Sequence, residues 1–198
     1  MIDYAIIVVR TGSTRLPRKC LLPFGEGNVL EHVIKRARHF NFEPIIATTH
    51  LAEDDVIEKI AEWNDCKCYR GSINDIEERI EKACKVFNIT SFTRIDADDV
   101  FFEPNTGQGH RYIGDWHDTA EGYKNCANHI RLTLDYWEDY GLLSIVLAAS
   151  SWFPSFRTGD EIIELFKRNP DLYKINWFRQ QNYEEYQQCE SKELDTSV

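Results

Sequence analysis

The feature that most constrains this chain is the run Tyr4-Ala-Ile-Ile-Val-Val9, apolar throughout and largely β-branched, which leads directly into a glycine-containing loop. Without polar alternation, it reads as a strand covered on both faces, as in a parallel sheet. Beyond the loop, Val29, Leu30, Val33, Ile34 and Ala37 recur at helical spacing, and Pro44 to Thr48 forms a second buried strand. The alternation then repeats. Val56, Ile57, Ile60 and Ala61 make a helical stripe, Lys67 to Tyr69 a short strand, and Ile76, Ile80, Ala83, Cys84 and Phe87 a second stripe. Ser91 to Ile95 is the next strand and ends in Asp96-Ala-Asp-Asp99. Strands alternating with helices of this length predict an α/β fold with a mostly parallel sheet and helices on both faces. Ligands of such sheets bind at the carboxyl ends of the strands. Both the loop from Arg10 to Lys19 and the Asp96 to Asp99 cluster fall at that edge.

From Phe102 to Asn128 the periodicity fades into Gly, Asn, His, Asp and aromatic residues, so residues 102–129 are expected to be irregular. Regular order returns with Arg131 to Asp135, read as a β-type run, then a helix from about Glu138 to Ala149 and another from about Asp160 to Arg168. At 198 residues, 42% hydrophobic and 28% charged, the chain suits one domain, expected over 1–186, with a polar tail over 187–198. No stretch approaches the roughly 20 apolar residues of a membrane span, and Met1 to Tyr4 does not open like a secretory leader. Six scattered cysteines then read as reduced thiols, and the expected location is the cytoplasm.

A net charge of −10 argues against nucleic acid or an anionic membrane as partner. Yet Arg10 to Lys19 holds four cations (Arg10, Arg15, Arg18, Lys19) and no acid, so positive charge is focused on one loop. Gly12 and Ser13 let backbone amides approach phosphate oxygens, while Arg15 and Lys19 can neutralise a triphosphate. The segment is not a Walker A loop, since Gly-Lys-Ser/Thr is missing at the required spacing. A solvated basic turn is the alternative for this loop.

The segment Arg-Thr-Gly-Ser-Thr-Arg-Leu-Pro-Arg-Lys-Cys-Leu-Leu-Pro, residues 10 to 23, resembles the signature of cytidylyltransferases that make CMP-activated sugar acids, the acylneuraminate and KDO type. It is most similar to the spore-coat polysaccharide (SpsF-like) branch. Further matches follow in order at Val29 to Ile34, Ile46 to Thr48, Arg70-Gly-Ser72 with Asp75 and Arg79, Arg94-Ile95 with Asp98, Arg131 to Asp135 with Glu138-Asp139, and Ile162 to Asn176.

The resemblance implies a three-layer α/β/α Rossmann-like fold of the nucleotide-diphospho-sugar transferase kind. It implies transfer of CMP from CTP to a sugar acid or a small acidic or phosphorylated acceptor, with release of pyrophosphate and Mg²⁺ as cofactor. By position, Arg10, Gly12, Ser13, Arg15, Lys19 and Arg70 would bind the nucleotide, with Arg15 and Lys19 catalytic. Asp98 and Asp135 would hold the metal, in keeping with the preference of Mg²⁺ for one or two carboxylates plus substrate phosphates. A turn or helix-start acid is the plainer reading of each aspartate.

Three departures qualify the likeness. Val8 and Val9 stand where the family pattern has a polar residue and alanine, which leaves another base open. Asp96-Ala97 and Asp99-Val100 replace a small-residue stretch and a proline around the metal aspartate. The segment between Asp98 and Asp135 is much shortened, which points to a smaller acceptor met by His110, Arg111 and Lys124, to a pocket completed in a homodimer, or to a catalytically weak nucleotide-binding relative.

Other candidates rank lower. His110, His117, Cys126 and His129 fit no compact zinc spacing. Cys66 and Cys68 alternate on one strand and read as buried thiols. Trp116, Tyr123, Tyr136, Trp137, Tyr140, Trp152, Phe153 and Phe156 read as core or interface packing rather than base stacking.

Overall fold

The computed structural model describes residues 3–104, 130–149 and 159–186. Its centre is a four-stranded sheet in the order β5-β4-β1-β6, built from β1 (Asp3–Val8), β4 (Phe42–Thr49), β5 (Lys67–Gly71) and β6 (Phe92–Asp96). Every pairing is parallel, with Ile6 opposite both Ile45 and Arg94. Adjacent side chains of β1 enter different layers, as a period of two requires. Ala5 and Ile7 join the larger core, while Ile6 and Val8 meet Ala47 and Ile80 on the other face. The uninterrupted apolar run follows from this two-sided cover.

The larger core is filled by α1 (Val29–His39), α2 (Asp55–Trp63), α4 (Trp137–Ala148) and α5 (Gly159–Arg168); α3 (Ile76–Phe87) covers the opposite face. Three layers result, as the sequence predicts. Local chemistry fixes the helix ends. Asn28 accepts from the Glu31 amide at 3.0 Å while Glu31 reaches back to the Asn28 amide at 2.8 Å, a reciprocal cap for α1. Asp75 caps α3 through the Glu78 amide at 2.8 Å, and Asn88 ends that helix in the left-handed conformation, φ 59°.

Two elements escape the periodicity analysis. Between the loop and α1 lies a hairpin of β2 (Pro23–Phe24) and β3 (Gly27–Asn28), turned by Gly25 at φ 64°. Residues 179–186 form a final helix. One expectation is corrected: residues 131–135 are not a strand. They bind alongside the acidic turn by the Leu134 amide donating to the Asp98 carbonyl at 3.1 Å, while the charged ends of the segment, Arg131 and Asp135, are held by side chains. The irregular region expected over 102–129 lies outside the described residues beyond Pro104, as does the polar tail.

Candidate active site

The loop after β1 is shaped by its own backbone. Thr11 offers its carbonyl to the amides of Ser13 (2.8 Å) and Arg18 (3.2 Å), with Arg18 in the left-handed region at φ 56°. Leu16 and Cys20 are buried and anchor the turn from below. Among the described residues, the amides of Gly12, Thr14 and Arg15 have no hydrogen-bond partner. Unpartnered backbone amides in a tight loop can line an anion-binding concavity. A Cβ on Gly12 would come within 3.2 Å of Glu53 Oε1, so a larger residue there would require the Glu53 side chain to shift.

A buried carboxylate ties the loop to the sheet. Asp54 accepts from the Thr11 amide at 2.8 Å and hydroxyl at 2.6 Å, and from the Thr49 hydroxyl at the end of β4. Burial pushes the Asp54 carboxyl upward, and the hydrogen bonds from Thr11 and Thr49 overcome that push and hold it below its ordinary range. Asp54→Asn is expected to cost about 1.5–3 kcal/mol in urea denaturation at neutral pH, because charge-assisted bonds are lost. With the folded pKa depressed, this stability is present above the unfolded value and lost as pH falls through the folded one. The gap between parent and variant should therefore close below about pH 4; a gap unchanged in acid contradicts this role.

The loop cations meet the acidic cluster directly. Lys19 Nζ lies 2.7 Å from Asp98 Oδ2, 3.0 Å from Asp135 Oδ1 and 2.8 Å from the Leu134 carbonyl. Arg15 Nη2 donates to Asp135 Oδ1 at 2.7 Å. Burial by itself lowers the Lys19 pKa, but Asp98 and Asp135 more than offset it, so the ammonium is held above the ordinary lysine value. Asp135 is pushed upward by burial and then carried below the usual carboxylate range by Lys19, Arg15 and Arg131. Beside them, Asp99 is raised by burial and by the charges of Asp98 and Asp96.

Four of the residues singled out in the sequence, Arg15, Lys19, Asp98 and Asp135, thus converge at the carboxyl edge of the sheet. Ser13 has a structural task, its hydroxyl accepting from the Leu16 amide at 3.4 Å. The Arg10 side chain is exposed and its charge reaches Arg79, whose pKa is lowered by burial and then by Arg10. Arg70 stands on β5, donating to the carbonyls of Thr49 (3.1 Å) and Leu51 (2.7 Å) and pairing with Asp55 and Glu58. Asp135 is more than a helix-start acid, since the adjacent Asp139 performs that task by accepting the amides of Asp135 and Tyr136, each at 2.9 Å. Cys66 and Cys68 are half-buried free thiols, raised by burial to about 11 and about 12, as inert thiols should be. His110, Arg111, His117, Lys124, Cys126 and His129 lie outside the described residues.

The supports of this site carry no distinct signal in the sequence. Arg131 joins Asp135 (2.5 Å) to Asp139 (3.2 Å), and Asn176 binds both Asp139 and the Arg131 carbonyl at 2.8 Å. On α1, the fully buried Arg36 donates to the carbonyls of Phe101 (3.1 Å) and Phe102 (2.5 Å), and His32 Nε2 contacts the Val100 carbonyl at 3.0 Å. These two side chains fix the backbone that follows Asp98 and Asp99. Burial and the neighbouring Arg36 charge lower the His32 pKa to about 4, so the ring is neutral at physiological pH. Their only signal in the sequence was a polar residue on the inner stripe of α1.

The architecture is shared with a cytidylyltransferase from Leptospira borgpetersenii serovar Hardjo-bovis, with a TM-score of 0.69 and 23% identity over 87% of this chain and 97% of that one. The fold class is therefore that of a cytidylyltransferase. A family model described as cytidylyltransferase matches residues 4–110, more than half the sequence, and the chain belongs to that family. It is 30% identical over 105 residues to the spore coat polysaccharide biosynthesis protein SpsF of Bacillus subtilis, and 33% identical over 96 residues to an uncharacterized protein of Methanocaldococcus jannaschii. These matches cover 50% and 48% of this chain but 44% and 40% of those proteins, so the chain spans less than half the length of either by alignment. No helix among the described residues is long and apolar enough to cross a membrane.

Proposed function

We propose that the chain transfers CMP from CTP to a small acidic or phosphorylated acceptor and releases pyrophosphate, in the synthesis of a polysaccharide or glycoconjugate precursor. The observation that carries this reading is the convergence of Arg15, Lys19, Asp98 and Asp135 beside a loop whose amides at Gly12, Thr14 and Arg15 have no hydrogen-bond partner among the described residues. In the reaction, an acceptor oxygen forms a bond to the α-phosphorus, the bond from that phosphorus to the bridging oxygen breaks, and the electron pair leaves with pyrophosphate. The loop amides would cradle phosphate oxygens, and Arg15 and Lys19 would stabilise the charge that grows on the leaving oxygens. Arg10, just beyond the end of β1, and Arg70, near the end of β5 with β4 between them, would complete the nucleotide's surroundings.

Asp98 and Asp135 would hold Mg²⁺, and the approach of their carboxylates to a common point supports that reading. Both carboxylates are aimed at one point, now taken by the Lys19 ammonium. Among the described residues no group of three or more acidic, His or Cys side chains is placed to hold a metal alone. Two carboxylates completed by phosphate oxygens and water is the coordination Mg²⁺ favours. The ion would supply further neutralisation of the phosphates.

The test is a pyrophosphate-release assay with CTP fixed against a panel of carboxylated and phosphorylated acceptors. Turnover with a short acceptor is the expected result. Efficient turnover of a nine-carbon sugar acid by a demonstrated monomer would refute the small-acceptor reading. Silence across the panel despite CTP binding would favour a nucleotide-binding relative without turnover.

A further inference from the structure

We infer that Tyr183 and Tyr186, on the C-terminal helix, are positioning residues that hold the Arg15 guanidinium in place for a triphosphate. The inference rests on the reading of Arg15 as a triphosphate ligand. The Arg15 Cζ lies 4.6 Å from the centroid of the Tyr186 ring, 5.2 Å from that of Tyr183 and 5.7 Å from that of Tyr136. Tyr183 also stands 4.7 Å from Arg131 Cζ. All of these fall within the range where a ring attracts a guanidinium, and the attraction strengthens as water is excluded.

The helix that carries the rings meets the site through aromatic and polar contacts rather than through core packing. Tyr183 and Tyr186 are spaced i, i+3 and so share one face. They are half-buried, while residues 181, 182, 184 and 185 are exposed. No residue of 179–186 belongs to the hydrophobic core. Further contacts are Arg179 with Glu138 at 2.8 Å and over the Tyr136 ring at 4.8 Å, and Gln180 Oε1 accepting from Arg131 Nη1 at 3.1 Å.

What the rings hold is a donor in reserve. Arg15 Nη2 is engaged by Asp135, but Nη1 is buried and lacks a hydrogen-bond partner among the described residues. A buried donor without an acceptor is unfavourable and persists only where its surroundings determine its place. A phosphate oxygen arriving beside the Gly12 to Arg15 amides would supply the missing acceptor. With the guanidinium already oriented, binding is spared the entropy of ordering a long side chain.

Two measurements on the full chain test this. The first is the mobility of the Arg15 Nε–Hε group by NMR, its resonance assigned from its loss in Arg15→Lys. The second is the affinity for inorganic tripolyphosphate, which reports on the loop without any base. In Tyr183→Ala/Tyr186→Ala, Arg15 should become mobile and the tripolyphosphate Kd should rise about tenfold. Tyr183→Phe/Tyr186→Phe, which keeps the rings, should stay within about twofold of the parent in Kd, with Arg15 still restrained. In an Arg15→Ala background the tyrosine substitutions should have no further effect. An Arg15 signal equally restrained in the alanine variant overturns the assignment, whatever the protein binds. Should the parent bind neither tripolyphosphate nor CTP while the alanine variant frees Arg15, the positioning stands and the nucleotide reading falls.

Discussion

Lys19→Ala is expected to lower CTP-dependent pyrophosphate release by about 10²–10³-fold or more, the loss typical of removing one preorganised group from the site of developing charge. Its ammonium is held charged by Asp98 and Asp135, so it is a fixed cation at any physiological pH. The same ammonium occupies the point at which the two carboxylates meet. The fold should survive the change. Asp135 keeps Arg15 and Arg131 as partners, and Asp98 is partly exposed to water. The loss should appear in kcat rather than in thermal stability, because the charge is needed most as pyrophosphate develops. Asp98→Asn should chiefly weaken the response to Mg²⁺. Near-normal release from Lys19→Ala would reduce the loop to a binding element.

Arg131→Met should destabilise the protein by about 3–5 kcal/mol in urea unfolding, since removing one partner leaves buried charge uncompensated. Arg131 is 4% exposed and lies between Asp135 at 2% and Asp139 at 0%. Asp139 is already raised by burial, against which Arg131 is the first opposing influence. Without the guanidinium, its remaining partners are Asn176 and two backbone amides. Arg131→Lys keeps the charge but not the fork that reaches both carboxylates, so an intermediate loss is expected. A change under about 1 kcal/mol, the range of an exposed pair, would show that the network is not the keystone of this edge of the site.

The contrast between these residues explains what the sequence revealed. Strands β1 and β4 were legible because both faces are covered, which enforces continuous apolar runs. Helices α1, α2 and α3 were legible because each buries one stripe. The loop cations and the two aspartates stood out by charge and by family likeness. The supports did not, because nothing in a sequence marks a charged residue as buried. Asp54, Arg36 and Asp139 are fully buried, each held by partners far along the chain or by backbone groups. The segment 131–135 resembled a strand because Leu132 and Leu134 alternate with polar residues, but both leucines enter the core while the ends are clamped by ion pairs. The last helix was missed for a related reason: its inner face is tyrosine against arginine, and it leaves no apolar stripe.

The central claim is that this edge of the sheet binds CTP with Mg²⁺. A thermal-shift screen of the four ribonucleoside triphosphates, each with and without Mg²⁺, tests it most directly, because a ligand of the native state stabilises it by an amount that grows with the logarithm of ligand concentration over Kd. The largest rise is expected with CTP and Mg²⁺ together, about 2.7 kcal/mol of stabilisation at a hundredfold excess over Kd, and a much smaller rise for Arg15→Ala and Lys19→Ala. A larger rise with ATP or GTP would overturn the choice of base, and no rise with any triphosphate would contradict the claim itself.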